Sequence, residues 1–290
     1  MANQRKIERL YTPTEQPGFL GAGHLARPVI QGSFAQTDPF IMLMDDILDK
    51  KDNEPAGGPH PHAGFETVTL LLEGSIGDEN HKMKAGDFQM MTAGSGIIHT
   101  ETIEEKTRMR LLQLWLTLPK KHRWTTPRVQ DMFNEHVPVS NTGGVQLKLY
   151  SGSMSGLQSP VKNYVPVIIA EVNMQPGSES KLDIPSNFNA FIYVLQGEVS
   201  IGDEKRLVKQ DQVGWFDIQY GSQLSEIKVQ AGITGSRFVL YAAQPQGDAI
   251  VSHGPFIGDS SEDIVRLYKE FRQGKMQHIS TVDEELKMKY

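Results

Sequence analysis

Residues 57–74 read GGPHPHAGFETVTLLLEG. A Pro- and Gly-punctuated start runs into Thr67–Leu72, an apolar β-type segment that stops at Gly74. On an extended strand, side chains at i and i+2 share a face, so His60 and His62 point the same way. Pro59 and Pro61 stiffen the backbone there and lower the entropy lost on ordering the two rings. One hairpin later, residues 85–101 read AGDFQMMTAGSGIIHTE and repeat the device with His99 and Glu101. Gly94 and Gly96 allow a tight turn that would aim His99 back at the first pair. Three imidazoles and a carboxylate converging on one point are a donor set for a divalent metal.

The same punctuation continues outward. Phe40–Met44, Phe88–Thr92, Met109–Leu118, Val165–Val172, Phe191–Leu195, Gln212–Phe216 and Arg237–Ala242 are short apolar segments between Gly, Pro, Asn and Asp clusters. Many short strands at that spacing predict an all-β chain of barrels or sandwiches. A weak internal repeat sets their number. ETVTLLLEGSIGDENHKMKAGDFQMM (66–91) resembles AFIYVLQGEVSIGDEKRLVKQDQVGWF (190–216), with Gly74 matched to Gly197 and Asp87 to Asp211. A period that long means two copies of one domain. Prolines 119, 127 and 138 interrupt a polar stretch between them, so the expected domains are 1–130, holding the metal site, and 131–290. At the repeat offset, His60 and His62 fall on Asp183 and Pro185, and His99 and Glu101 on Gln223 and Ser225. The second copy is therefore expected to bind no metal by this route. A single clear helix is predicted in DSSEDIVRLYKEFRQGK (259–275), capped by Asp259, Ser260 or Ser261, with Ile264, Leu267, Tyr268 and Phe271 on one face and Gly274 as its stop.

The composition narrows the function classes. The chain has 290 residues, 22% charged and 38% hydrophobic, with a net charge of −6 and no cysteine. Disulfides, iron–sulfur clusters and thiolate zinc sites are excluded. The charge argues against direct nucleic-acid binding as the main task. No apolar run is long enough to span a bilayer or to serve as a signal segment, which predicts no membrane association and a cytoplasmic protein.

The other histidines (His24, His81, His122, His136, His253 and His278) lack ligand-type spacing. Glu66 shares the parity of His60 and His62, but a bulge at Gly64 would break it. Glu101, paired with His99 in the same i, i+2 relation, is the favoured carboxylate.

The strings DPFIMLMDD (38–46), PHPHAGFETVTLLLEG (59–74), MTAGSGIIHTE (91–101), FNAFIYVLQGEV (188–199) and GPFIGDSSEDIVRLYKEFRQGK (254–275) resemble the pirin family of the cupin superfamily. The resemblance implies two tandem cupin barrels, one metal in the N-terminal barrel and none in the C-terminal one, and a monomer. It assigns the ligands to His60, His62, His99 and Glu101, makes Glu66 a non-ligand, and favours iron(II), with nickel, copper, manganese, cobalt or zinc as alternatives. The hairpin from Gly74 to Gly86 is shorter than in that family, and Val139–Asn163 matches loosely. By resemblance the chain is a quercetin 2,3-dioxygenase acting on a phenolic substrate with dioxygen, with Glu101 also the catalytic base. The alternatives are a regulatory protein that docks a protein partner, and a closed zinc site of purely structural role.

Overall fold

A computed structural model describes residues 3–77, 82–220 and 223–290, with the side chain of Glu101 excepted. His81 and the tip of its hairpin lie outside the described residues. The chain is dominated by strands, with one long helix and one single-turn helix among the described residues. It forms two tandem cupin barrels. No helix among the described residues is long and apolar enough to cross a membrane.

The division into compact units differs from the expected 1–130 and 131–290. One unit joins the segment up to Pro13 to Val137–Pro245, and the other joins Thr14–His136 to Gln246–Tyr290. The two chain ends therefore cross over. The physical reason is strand completion. Ile7–Tyr11 pairs with Val213–Phe216 in the Val137–Pro245 unit. Arg5, fully buried there, donates to the carbonyls of Pro185, Ser186, Phe188 and Asp217 and to Ser225 Oγ. In the other unit Lys287–Lys289 adds in parallel to Arg128–Met132. Arg123, also fully buried, donates to Asp259 Oδ1 at 2.7 Å and to the Gly64 carbonyl at 3.1 Å, fixing the C-terminal segment to the end of the histidine strand.

The terminal helix runs Ser261–Arg272, with Ser260 as its N-cap in a capping box with Asp263. Its apolar face packs within the same unit: Ile264 and Leu267 are buried with Ala63, Phe256 and Met276. Gly274 follows at φ +66, the left-handed conformation that closes a helix.

In the Thr14–His136 unit, the main sheet carries Arg128–Met132, Phe88–Thr92, Phe65–Glu73, Thr107–Thr117, Phe40–Lys50 and His24–Pro28 in that order. A smaller sheet pairs Ala56–His62 with Ile97–Ile103, antiparallel, placing His60 opposite His99 and the backbone of Glu101 opposite Gly58. In the Val137–Pro245 unit, Glu179–Pro185 pairs with the start of Leu224–Ala243, placing Asp183 opposite Glu226.

The repeat holds through its hydrogen bonds, with one correction to its alignment. Gly74 (φ +80) and Gly197 (φ +71) both sit where a Cβ would collide with a carbonyl oxygen, of Arg108 at 2.3 Å and of Gly235 at 2.2 Å. Past the hairpin, Gly86 N–H donates to Leu71 O, and the matching bond in the second copy is Asp211 N–H to Val194 O. Asp211 is thus the counterpart of Gly86, not of Asp87, and both adopt positive φ. The counterpart of Asp87 is Gln212: each accepts from the backbone N–H three residues earlier, Lys84 and Lys209 respectively. The second hairpin is two residues longer, and the extra length displaced the expected match.

Candidate metal centre

His60 and His62 end the Ala56–His62 strand, and His99 stands across from His60 on the neighbouring strand. Strand parity turns all three rings to one face. His99 Nε2 lies 2.7 Å from His60 Nε2 and 3.1 Å from His62 Nε2. The His60 and His99 ring centroids are 4.2 Å apart. His60 Nδ1 lies 2.9 Å from the Gly58 carbonyl. A carbonyl only accepts, so Nδ1 carries the proton and Nε2 presents its lone pair.

Electrostatics favours the same state. Burial, and then the neighbouring His60, hold the His62 pKa down to about 3. His99 is lowered well below the ordinary range by burial first and by His62, His60 and His278 after it. Neutral imidazoles whose lone pairs crowd one point repel each other, and a cation placed among them turns that repulsion into ligation. Among the described residues these three are the only group of three or more His, Asp or Glu side chains whose donor atoms converge, all within 4.8 Å. The donor set therefore fits a divalent metal. The Glu101 side chain lies outside the described residues; its backbone sits two residues past His99 on the same strand.

Glu66 is not part of the cluster. Gly64, at φ +86 with a Cβ position 1.9 Å from the Ile257 oxygen, separates the histidine strand from Phe65–Glu73 and breaks the parity. Phe65 then faces the site, 5.3 Å from the His62 ring and 4.3 Å from Trp115. Glu66 alternates away. It is fully buried, accepts from Thr92 Oγ1 at 2.6 Å, and lies 4.0 Å from Arg128 Nη2. Burial pushes its carboxyl up to about 7 against those two partners.

The three imidazoles open into a cavity of about 830 Å³. Its walls are mainly apolar, with Met42, Met44, Ile76, Leu111 and Trp115 among them, and Gln113, His24 and Asp46 supply polar points. His24 stands in no ligand-type spacing along the chain. Its only signal was proximity to the DPFIMLMDD strand, whose Asp46 it meets.

Two cupin barrels, one of them with three converging histidines in the wall of an apolar cavity, define the class: a bicupin with one candidate metal site. The sequence pattern of the Pirin family matches residues 24–116, and that of the Pirin C-terminal cupin domain matches residues 169–277. Pirin-like protein 2 of Arabidopsis thaliana is 34% identical over 248 residues, covering 82% of this chain and 75% of its own. The chain belongs to the pirin family. Among solved structures, a quercetin 2,3-dioxygenase from Acinetobacter baumannii superposes with a TM-score of 0.80 at 23% identity, covering 94% of this chain and 98% of its own. A bacterial pirin from Escherichia coli in complex with nickel(II) superposes with a TM-score of 0.61 at 19% identity, covering 82% and 99%.

Proposed function

We propose that the chain is a metal-dependent dioxygenase that cleaves flavonols of the quercetin type, with His60, His62, His99 and Glu101 holding one divalent metal, iron(II) by preference. The observation that carries this reading is the set of three imidazole Nε2 atoms converging at the wall of a largely apolar cavity. The solved neighbours named as a quercetin 2,3-dioxygenase and as a nickel-bound pirin support the substrate class and the metal.

When bound, the metal supplies Lewis-acid and redox chemistry toward a phenolate and dioxygen, at positions the protein ligands leave open. The overall reaction consumes one dioxygen, opens the flavonol heterocycle and releases carbon monoxide. The chain's own residues do the rest. Phe65 and Trp115 pack against His62 and hold its ring in place. The Gly58 carbonyl fixes the tautomer of His60. Met42, Met44 and Leu111 exclude water from a flat aromatic ligand. Glu101 is the proposed base that takes the flavonol hydroxyl proton.

The test is dioxygen uptake with quercetin by anaerobically purified, metal-analysed protein. Glu101→Gln is expected to keep metal and lose at least about 100-fold in turnover, the scale of a general base. Undiminished turnover in that variant would remove Glu101 from the chemistry. Metal without uptake in the unmodified chain would overturn the dioxygenase reading and favour a protein partner.

A further inference from the structure

The cavity has a second polar end. His24 is buried within the wall, and its ring closes against Gly18, where any Cβ would lie 2.2 Å from Nδ1. Leu20 N–H donates to His24 Nδ1 at 3.0 Å. That nitrogen is therefore the acceptor, so the proton sits on Nε2, which donates to Asp46 Oδ1 at 2.9 Å. Among the described residues His24 is the only side-chain partner of Asp46. The Asp46 side chain keeps 12% of its surface exposed and lines the same cavity as the three imidazoles. The imidazole thus fixes one carboxylate oxygen and leaves Oδ2 as an acceptor.

The strand ladder gives the distance. Met42 pairs with Trp115, whose ring lies 5.3 Å from His62; Met44 pairs with Gln113; Asp46 pairs with Leu111. Asp46 is therefore four residues beyond the level of the metal site, about 14 Å along the strand at roughly 3.4 Å per residue. Between the two ends lies the rung of Met44 and Gln113, and Leu111 flanks Asp46 itself; the thioether and the leucine suit the faces of fused or linked aromatic rings. A carboxylate oriented at the end of an apolar slot is costly to desolvate unless the occupant brings a hydrogen-bond donor to it.

We propose that Asp46, oriented by His24, is a distal subsite that accepts a hydrogen bond from a ring hydroxyl at the far end of an elongated aromatic ligand whose near end reaches His60, His62 and His99. Asp46 is the binding residue and His24 a positioning residue. The proposal rests on the flavonol reading and sharpens it. The site selects for hydroxyls remote from the reacting ring, which contribute nothing to metal contact.

The test is anaerobic calorimetric titration of the metal-loaded full chain with quercetin and with 3-hydroxyflavone, which keeps the metal-facing hydroxyl and carbonyl but lacks the hydroxyls of the other rings. The unmodified chain is expected to bind quercetin at least about tenfold tighter, the effect of one hydrogen bond to a charged group. Asp46→Ala should erase that preference while leaving 3-hydroxyflavone affinity within about twofold, which also shows that the variant is folded. His24→Ala, which frees Asp46 to rotate, should weaken the preference and spare 3-hydroxyflavone, whereas His24→Gln, which restores a donor, should recover part of it. Both ligands binding without preference, or a preference that survives Asp46→Ala, overturns the distal subsite and leaves the flavonol reading standing. Neither ligand binding the unmodified chain overturns the flavonol reading, and the subsite with it.

Discussion

The two barrels share a ladder and fill it oppositely. In the Thr14–His136 unit, three successive rungs carry Met42, Trp115 and Thr67; then Met44, Gln113 and Thr69; then Asp46, Leu111 and Leu71. In the Val137–Pro245 unit, the matching rungs carry Ile168, Ala242 and Ala190; then Ala170, Leu240 and Ile192; then Val172, Phe238 and Val194. Every one of the second set is buried in one apolar cluster. In the first set, Met42, Met44, Asp46, Leu111, Gln113 and Trp115 line a cavity. Backbone hydrogen bonding is indifferent to this choice, because both sets satisfy the same ladder. Side-chain volume and polarity alone decide whether a barrel interior is a core or a site.

Exchanging one rung should break the symmetry of that statement. Leu240→Gln places an amide in a filled interior with no partner, and is expected to destabilise the chain by about 3 kcal/mol, read by denaturant unfolding. The reciprocal change is Gln113→Leu. It costs Thr69 its hydrogen-bond partner at 2.9 Å but leaves a wall that already borders the cavity. Its expected effect is within about 1 kcal/mol, and similar losses for both variants would mean that the two interiors are equally tolerant.

A pH-dependent effect separates the units through Glu66, which stands at the ladder position of Asn189 in the other barrel. Its pKa is raised to about 7 in the folded chain. From about pH 4.5 to 7 the folded state keeps a proton that the unfolded state releases, so stability is highest at the acidic end of that window and falls as pH rises through it. The slope reaches at most about 1.4 kcal/mol per pH unit. Glu66→Gln should flatten it, and an unchanged slope would assign the pH dependence to other groups.

Much of this contrast was legible in the residues. Strand positions followed from apolar segments between turn residues, and Phe88–Thr92 coincides with its predicted bounds. The i, i+2 pairing of His60 with His62 needed only strand parity, and His99 needed only the Gly94–Gly96 turn to face them. The sequence did not reveal what depends on long-range closure. Arg5 reads as one more N-terminal cation, yet its guanidinium holds carbonyls about 180 residues away in the chain. The crossing of the chain ends is invisible to a repeat-based division for the same reason. His24 has no ligand spacing because its role depends on Asp46 across a strand pair, and on a glycine that leaves room for its ring. The Asp87–Asp211 match failed because residue type was aligned where turn geometry was the constraint.

On the proposed reading one barrel, through three imidazoles, holds the metal and the other holds none. The most direct measurement is metal content per chain for the unmodified protein beside His60→Ala/His62→Ala, with far-ultraviolet circular dichroism confirming that both are folded. One equivalent is expected in the unmodified chain and none in the folded double variant. A full equivalent retained by the double variant, or two equivalents in the unmodified chain, would contradict it.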